Sequence, residues 1–234
     1  MGKPLVVMKK LRLFLLSVLT AAAAFGADTA LSRSEYIKRI ESCEAILREF
    51  QMNPATAIPA DILAQARGLV ITNQVKAGFI IGVKDGYGVI MVKQPDGQWS
   101  VPAFVKAGEA SLGLQIGASA IETVYVLMDD ATPRLLFNQR FNVGVDAKAI
   151  AGPRVAEREN NRQPLIAAPV LVYTKAMGLF AGATVKAGYL SRDDSANRSF
   201  YATSYTLPEI LYSNWVTPGP EVQPLMAYVQ QIAR

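Results

Sequence analysis

The sequence predicts a single α+β domain: one antiparallel, β-rich unit, sandwich-like or barrel-like, with a helix flanking it at each end. Two observations carry this. Short runs rich in β-branched and aromatic residues recur between Leu69 and Ser191, punctuated by glycine. Apolar residues fall at helical spacing both before those runs, from Ser32 to Met52, and after them, from Pro220 to Ala233. A chain of 234 residues with no Pro/Gly/Ser linker or low-complexity stretch is one ordinary domain plus a leader.

The leader is expected to be an export signal. Lys9, Lys10 and Arg12 form a positive start, Leu13 to Ala24 is apolar, and Ala24-Phe25-Gly26 offers small residues for cleavage. The division expected is therefore 1–26 as signal peptide and 27–234 as the domain, with Met8 an alternative start. The apolar run is shorter than the roughly 20 residues that span a bilayer. Periplasm or cell envelope is the expected location.

Charge agrees with a leader. The formal net charge is +5, yet Lys3, Lys9, Lys10 and Arg12 precede the cleavage point and no acid does. Their removal leaves 20 basic residues against 19 acidic ones. A surface that tracks nucleic-acid phosphates needs a basic excess in the folded domain, so nucleic acid is not an expected partner.

In Ser32–Met52 the positions Tyr36, Ile40, Cys43, Leu47 and Phe50 share one helical face. Ser32 and Glu35 fit a capping box, and Asn53-Pro54 stops the helix. The stripe is expected to dock on the domain, because its polar face mixes both signs of charge; membrane-surface helices carry mostly Lys and Arg there. Cys43, the only cysteine, falls in the stripe and reads as core.

A short helix is expected from Pro59 to Ala66, with Asp61 as its N-cap. Strands are expected at Leu69–Thr72, Phe79–Val83, Tyr87–Val92, Leu112–Ile116, Thr123–Met128, Val145–Ile150, Val170–Thr174, Leu179–Val185 and Gly188–Ser191. Asp85-Gly86 and Asp96-Gly97 read as hairpin turns. Thr132–Phe137 reads as a short helix, and 156–163 as a polar loop. Lys76-Ala77-Gly78-Phe79-Ile80 is echoed by Lys175-Ala176-Met177-Gly178-Leu179-Phe180.

Catalysis finds no foothold. The absence of histidine removes Ser-His-Asp and Cys-His chemistry and the usual His-containing zinc sites. Asp129-Asp130 and Asp193-Asp194 have no nucleophile or base to work with and read as turn residues. Gly82 to Gly88 sits within a hairpin, not ahead of a helix, so it is no phosphate loop. No enzyme and no cofactor are expected.

Several segments in sequence order resemble the SYLF domain family: IPADILAQARGLVI from Ile58, VKAGFIIGVKDGYGVIMV from Val75 and DGQWSVPAFV from Asp96. SLGLQIGASAIETVYVL from Ser111, VGVDAKAIAGP from Val143 and VYTKAMGLFAGATVKAG from Val172 continue the series. The resemblance implies binding of phosphoinositide or acidic phospholipid. Eukaryotic relatives also imply actin bundling, which an envelope compartment does not offer. The expected function is therefore an exported lipid-binding protein that recognises anionic phospholipid headgroups at a membrane surface. The alternative is a non-catalytic envelope scaffold that binds another protein through a sheet edge. The candidate lipid-binding residues are Lys76, Lys84, Lys93, Arg154 and Lys175, at strand ends or loops, each adding about 1 kcal/mol beside an anionic surface. Lys76 and Lys175, at the echoed positions, are expected to share one rim with Arg154. Trp99 and Tyr87 read as packing residues before interfacial anchors.

Overall fold

The computed structural model describes residues 31–77, 82–111, 119–138, 140–153, 168–175 and 188–234. The signal segment, Arg154, the 156–163 loop and the strands expected at Leu112–Ile116 and Leu179–Val185 lie outside them. Helix α1 (Arg33–Met52) and the short α2 (Ala60–Gln65) precede four long strands, β1 (Gly68–Ala77), β2 (Gly82–Val92), β3 (Ala103–Ser111) and β4 (Ser119–Leu127). A 3₁₀ segment (Thr132–Asn138) leads to the short strands β5 (Arg140–Asn142), β6 (Ala149–Ala151), β7 (Val170–Thr174) and β8 (Tyr189–Arg192). Helices α3 (Asp194–Tyr201), α4 (Leu207–Tyr212) and α5 (Gln223–Ile232) complete the α+β fold.

The eight strands form one sheet in the order β5-β8-β3-β2-β1-β4-β7-β6, antiparallel except for β6 beside β7. That order forces a curl. In a flat sheet the seven spacings from β5 to β6 would cover about 34 Å. Only residues 143–148 join Asn142 to Ala149, a reach of at most about 25 Å. The sheet closes to a half-barrel, and a turn in which Gly144 N donates to Ala147 O at 3.0 Å bridges its edges.

The concave face holds one apolar cluster. Val70, Ile90, Val105, Tyr125 and Val172 of the central strands meet Phe141 and Ala149 from the two edges. Leu136 of the 3₁₀ segment and Leu207, Ile210 and Leu211 of α4 fill one end of the half-barrel. Gln94 Nε2 fixes α4 there by donating to Leu211 O at 3.1 Å.

On the convex face α1 buries Tyr36, Ile40, Cys43, Ile46, Leu47 and Phe50, and its Ser32–Glu35 capping box is formed. The stripe docks on the sheet, as its mixed charges predict. Tyr36 stacks on Phe104 of β3 with ring centroids 5.2 Å apart. Arg39 lies 4.7 Å above the Tyr87 ring of β2, Cys43 Sγ meets Ile71 O of β1 at 3.7 Å, and Glu49 pairs with Lys175 just past β7. From Tyr36 to Glu49 a helix advances about 20 Å; from β3 to β7 the sheet spans about 19 Å. Helix α1 is thus a crossbar over five strands. Cys43 is fully buried and desolvation pushes its thiol up to about 12, consistent with a core role.

Four local expectations are corrected. Asp85-Gly86 is not a turn: it lies inside β2, where Gly86 is present because a Cβ would stand 2.6 Å from Asn73 O of β1. Pro59, not Asp61, occupies the N-cap of α2, and Asp61 sits in its first turn. Of Val145–Ile150 only the end is strand, the start being spent on the edge-bridging turn. Strand β3, β5, α3 and α4 were not expected. Asp96-Gly97 is the expected turn, with Gly97 at φ +83°, and Thr132–Asn138 is helical in the 3₁₀ sense.

Candidate functional site

The register of β1 on β2 sets Lys76 directly opposite Lys84. Glu109 of β3 follows beside Lys84, and Ser119 of β4 beside Lys76, so four polar or charged positions form one row across four strands. Side chains alternate along a strand, so this row shares the concave face with Val70, Thr72 and Gln74. Like charges directly opposite each other destabilise a strand pair. Two lysine positions in register are thus an unfavourable pairing for the strand pair taken by itself.

Beneath the row the concave face changes character in steps. Thr72, Gln74 and Thr123 are buried at 0%, 6% and 3% exposure, although polar. Thr72 Oγ1 points to Thr123 O across β1 and β4 at 3.4 Å. Glycine makes this layer: a Cβ on Gly88 would lie 2.3 Å from Ile71 O and 2.8 Å from Thr72 Cγ2. Below it comes the apolar cluster. The even positions of β1, Val70-Thr72-Gln74-Lys76, record this gradient, which strand-by-strand reading of hydrophobicity misses.

Lys175 stands elsewhere. Its ammonium lies between Glu49 of α1 and Glu122 of β4, the latter at 2.5 Å. Burial works against its charge, but the two carboxylates hold its pKa above the ordinary lysine value. Glu122 is paired in register with Asn73, which is paired with Tyr87 and so with Lys106. This second row is three residues below Lys76 on β1, an odd step, and belongs to the convex face. In backbone register Lys175 thus stands in the row of Glu122, an odd step from that of Lys76, and is engaged by two carboxylates, while Arg154, the third member of the expected rim, lies outside the described residues. The convex row is tied to α1: Tyr87 OH donates to Ser42 Oγ at 3.1 Å, and Asn73 Nδ2 to Tyr87 OH at 3.3 Å.

Lys93 is a fastener. Its Nζ donates to Ala64 O at 3.3 Å and to Ala233 O at 3.0 Å, joining the C-terminal ends of α2 and α5. Trp99 is buried at 4% exposure and Tyr87 is half-buried, as packing residues are. The paired acids make turns and caps: Asp129 Oδ1 accepts from Thr132 N at 2.7 Å, and Asp193 Oδ1 from Ala196 N at 3.1 Å. Among the described residues no cluster of acids or cysteine is arranged to hold a metal ion.

Comparison with known proteins gives the family. The model of the Ysc84 family, described as "Las17-binding protein actin regulator", matches residues 108–232. SH3 domain-containing YSC84-like protein 1 of Homo sapiens is 32% identical over 181 residues, covering 75% of this chain and 52% of the human protein. LAS seventeen-binding protein 3 of Saccharomyces cerevisiae is 34% identical over 179 residues, covering 75% of this chain and 39% of the yeast protein. The chain thus spans about half, or less, of the relatives it matches. With a matching family model across more than half its length and relatives above 30% identity, the chain belongs to the Ysc84/SYLF family.

Proposed function

We infer that the protein is an exported, non-catalytic module that docks on anionic lipid surfaces in a periplasm or cell envelope. The observation that carries this is the Lys76–Lys84 pair, set opposite each other at one end of the concave face above a polar floor. Two lysine positions set in register concentrate positive charge at this end of the sheet, which an anionic surface attracts. Lys175 is held by two carboxylates and Lys93 by two carbonyls, so neither is offered to a headgroup on these terms. The scaffold alternative needs a sheet edge, and among the described residues both edges are three-residue strands joined by the bridging turn.

Vesicle co-sedimentation over a series of anionic-lipid content and salt tests the reading. Replacing Lys76 and Lys84 together by Ala should weaken binding to anionic vesicles by about 1 to 2 kcal/mol. Binding of the parent protein should fall with added salt. Equal binding to neutral and anionic vesicles would refute the electrostatic reading. Export is checked at the N-terminus of protein recovered from the envelope: cleavage should leave Phe25 or Ala27 near the start, and recovery of Met1 or Met8 overturns it.

A further inference from the structure

Four rings of the described structure carry a guanidinium over one face. Arg33 lies over Phe200 at 4.8 Å, Arg39 over Tyr87 at 4.7 Å, Arg48 over Tyr228 at 4.0 Å and Arg140 over Tyr189 at 3.8 Å. In each the electron-rich face of a ring attracts positive charge. Trp215 breaks the pattern. Indole is the strongest acceptor of this kind, and at 60% exposure Trp215 is the most exposed aromatic side chain among the described residues. No described cation lies over it.

The position of Trp215 is set by α4. Ser213 N and Ser213 Oγ both donate to Glu209 O, and Trp215 N donates to Ser213 Oγ at 3.2 Å. The indole rests against Tyr205, with ring centroids 5.3 Å apart and planes tilted by 54°, so the two rings meet as walls of a corner and not as a stack. Tyr205 is in turn packed on the concave cluster.

Glu209 stands beside this corner. Its Oε2 accepts from Thr206 N and from Thr206 Oγ1, both at 2.7 Å, which brings the carboxylate to the residue next to Tyr205. These bonds hold the carboxyl below the ordinary range, so it is ionised at neutral pH. Among the described residues Glu209 makes no ion pair, and its Oε1 accepts no hydrogen bond. Tyr212, three residues along, differs in having Arg134 beside its hydroxyl.

The vacancy is therefore for a cation, and the surroundings select its type. An ammonium or guanidinium brings several N–H donors, and here one carboxylate oxygen is open to them. A quaternary ammonium has no donor to satisfy, and its methyl groups pack on ring faces. We propose that Trp215, Tyr205 and Glu209 form a binding site for a quaternary ammonium group of the choline type, its methyls against the two rings and its charge toward the carboxylate. The site is at the α4 end of the half-barrel and needs no anionic lipid, so it is tested apart from the anionic-surface reading.

The chain has two tryptophans, so its N–H correlation spectrum holds two indole signals, and buried Trp99 is the internal reference. Choline is titrated beside ethanolamine, which keeps the chain and the charge but carries N–H donors. The Trp215 signal should move saturably with choline, in the millimolar range, and respond to ethanolamine at least about fivefold more weakly. The Trp99 signal should stay still. Glu209→Gln removes the charge and keeps an oxygen for the Thr206 bonds; it should weaken choline binding at least about fivefold. Trp215→Leu should do the same, read from saturation transfer to the choline methyl groups. An unmoved Trp215 signal, equal response to the two cations, or parent affinity in either variant overturns the site. Co-sedimentation with phosphatidylcholine vesicles that Glu209→Gln loses assigns a lipid headgroup as the source; binding of free choline without such a loss assigns a soluble ligand.

Discussion

Replacing Ile40 tests whether α1 belongs to the domain or to a membrane. Ile40 is 1% exposed at the centre of a stripe whose neighbours Cys43 and Leu47 are fully buried. Truncation to Ala leaves a cavity between α1 and the sheet, a loss of about 3 kcal/mol. For a domain of this size that is a fall in melting temperature of about 6 to 12 °C. Ile40→Asp forfeits the same contacts and sets a carboxylate against Ile71 and its neighbours, costing several kcal/mol more. The total approaches the whole stability of an ordinary domain, about 5 to 15 kcal/mol. Glu41→Ala, one residue along on the exposed side, should change stability by less than about 0.5 kcal/mol. Urea denaturation followed by far-UV circular dichroism reads all three. Should Ile40→Asp keep the parent midpoint and lose vesicle binding, the stripe contacts lipid and the crossbar is wrong.

Glycine at 88 and at 97 serves different ends. Gly88→Ala must push β1 and β2 apart and should cost about 3 kcal/mol, while Gly97→Ala meets open space and should cost about 1 kcal/mol for its left-handed backbone; similar losses in thermal melts would refute the close-approach argument. Lys93→Met should destabilise by about 1 to 2 kcal/mol, through two lost charge-assisted bonds, with vesicle affinity unchanged; a loss of affinity without a loss of stability would return Lys93 to the lipid site. Glu35 and Glu209 are held below the ordinary carboxylate range by bonds from Ser32 and Thr206. Their contribution is therefore complete above the unfolded value of about 4.3 and is lost as pH falls through the lower folded value. Glu35→Gln should flatten that acid limb in urea midpoints taken from about pH 5 to pH 3; a parent-like slope refutes it.

Where periodicity and burial coincide, the sequence is legible. Tyr36 to Phe50 step along one helical face, and Val170–Thr174 is a plain β-branched run; both stand where expected. Strand β3 was missed because AFVKAGEAS is half small residues, chosen to sit beside other strands more than to look β-forming. Asp85-Gly86 mimics a hairpin turn, but the glycine answers to Asn73 and Gln74 on the neighbouring strand, which no local pattern reveals. Helix α3 hides its role in Asn197, whose amide bonds both Phe104 N and Phe104 O at 2.7 and 3.1 Å. The site is legible only in part for the same reason. Lys76 and Lys84 stand out as charges in β-rich segments; that they face each other, and that Lys175 does not join them, is a matter of strand register.

The bridging turn at 143–148 has a consequence for how the chain assembles. β1 pairs with β2 nearby but with β4 across some sixty residues where Gly68 stands opposite Leu127, and β8 must return past β4 to reach β3. Edge strands that are consecutive in sequence lie at opposite ends of the finished sheet, so closing them is possible only after both halves have found their partners. Closure is thus a late event in folding, and a slow one, because the contacts on which it depends are distant in sequence. Until then each open edge invites pairing with another chain, and limiting β5 and β6 to three residues apiece keeps that template too short to propagate.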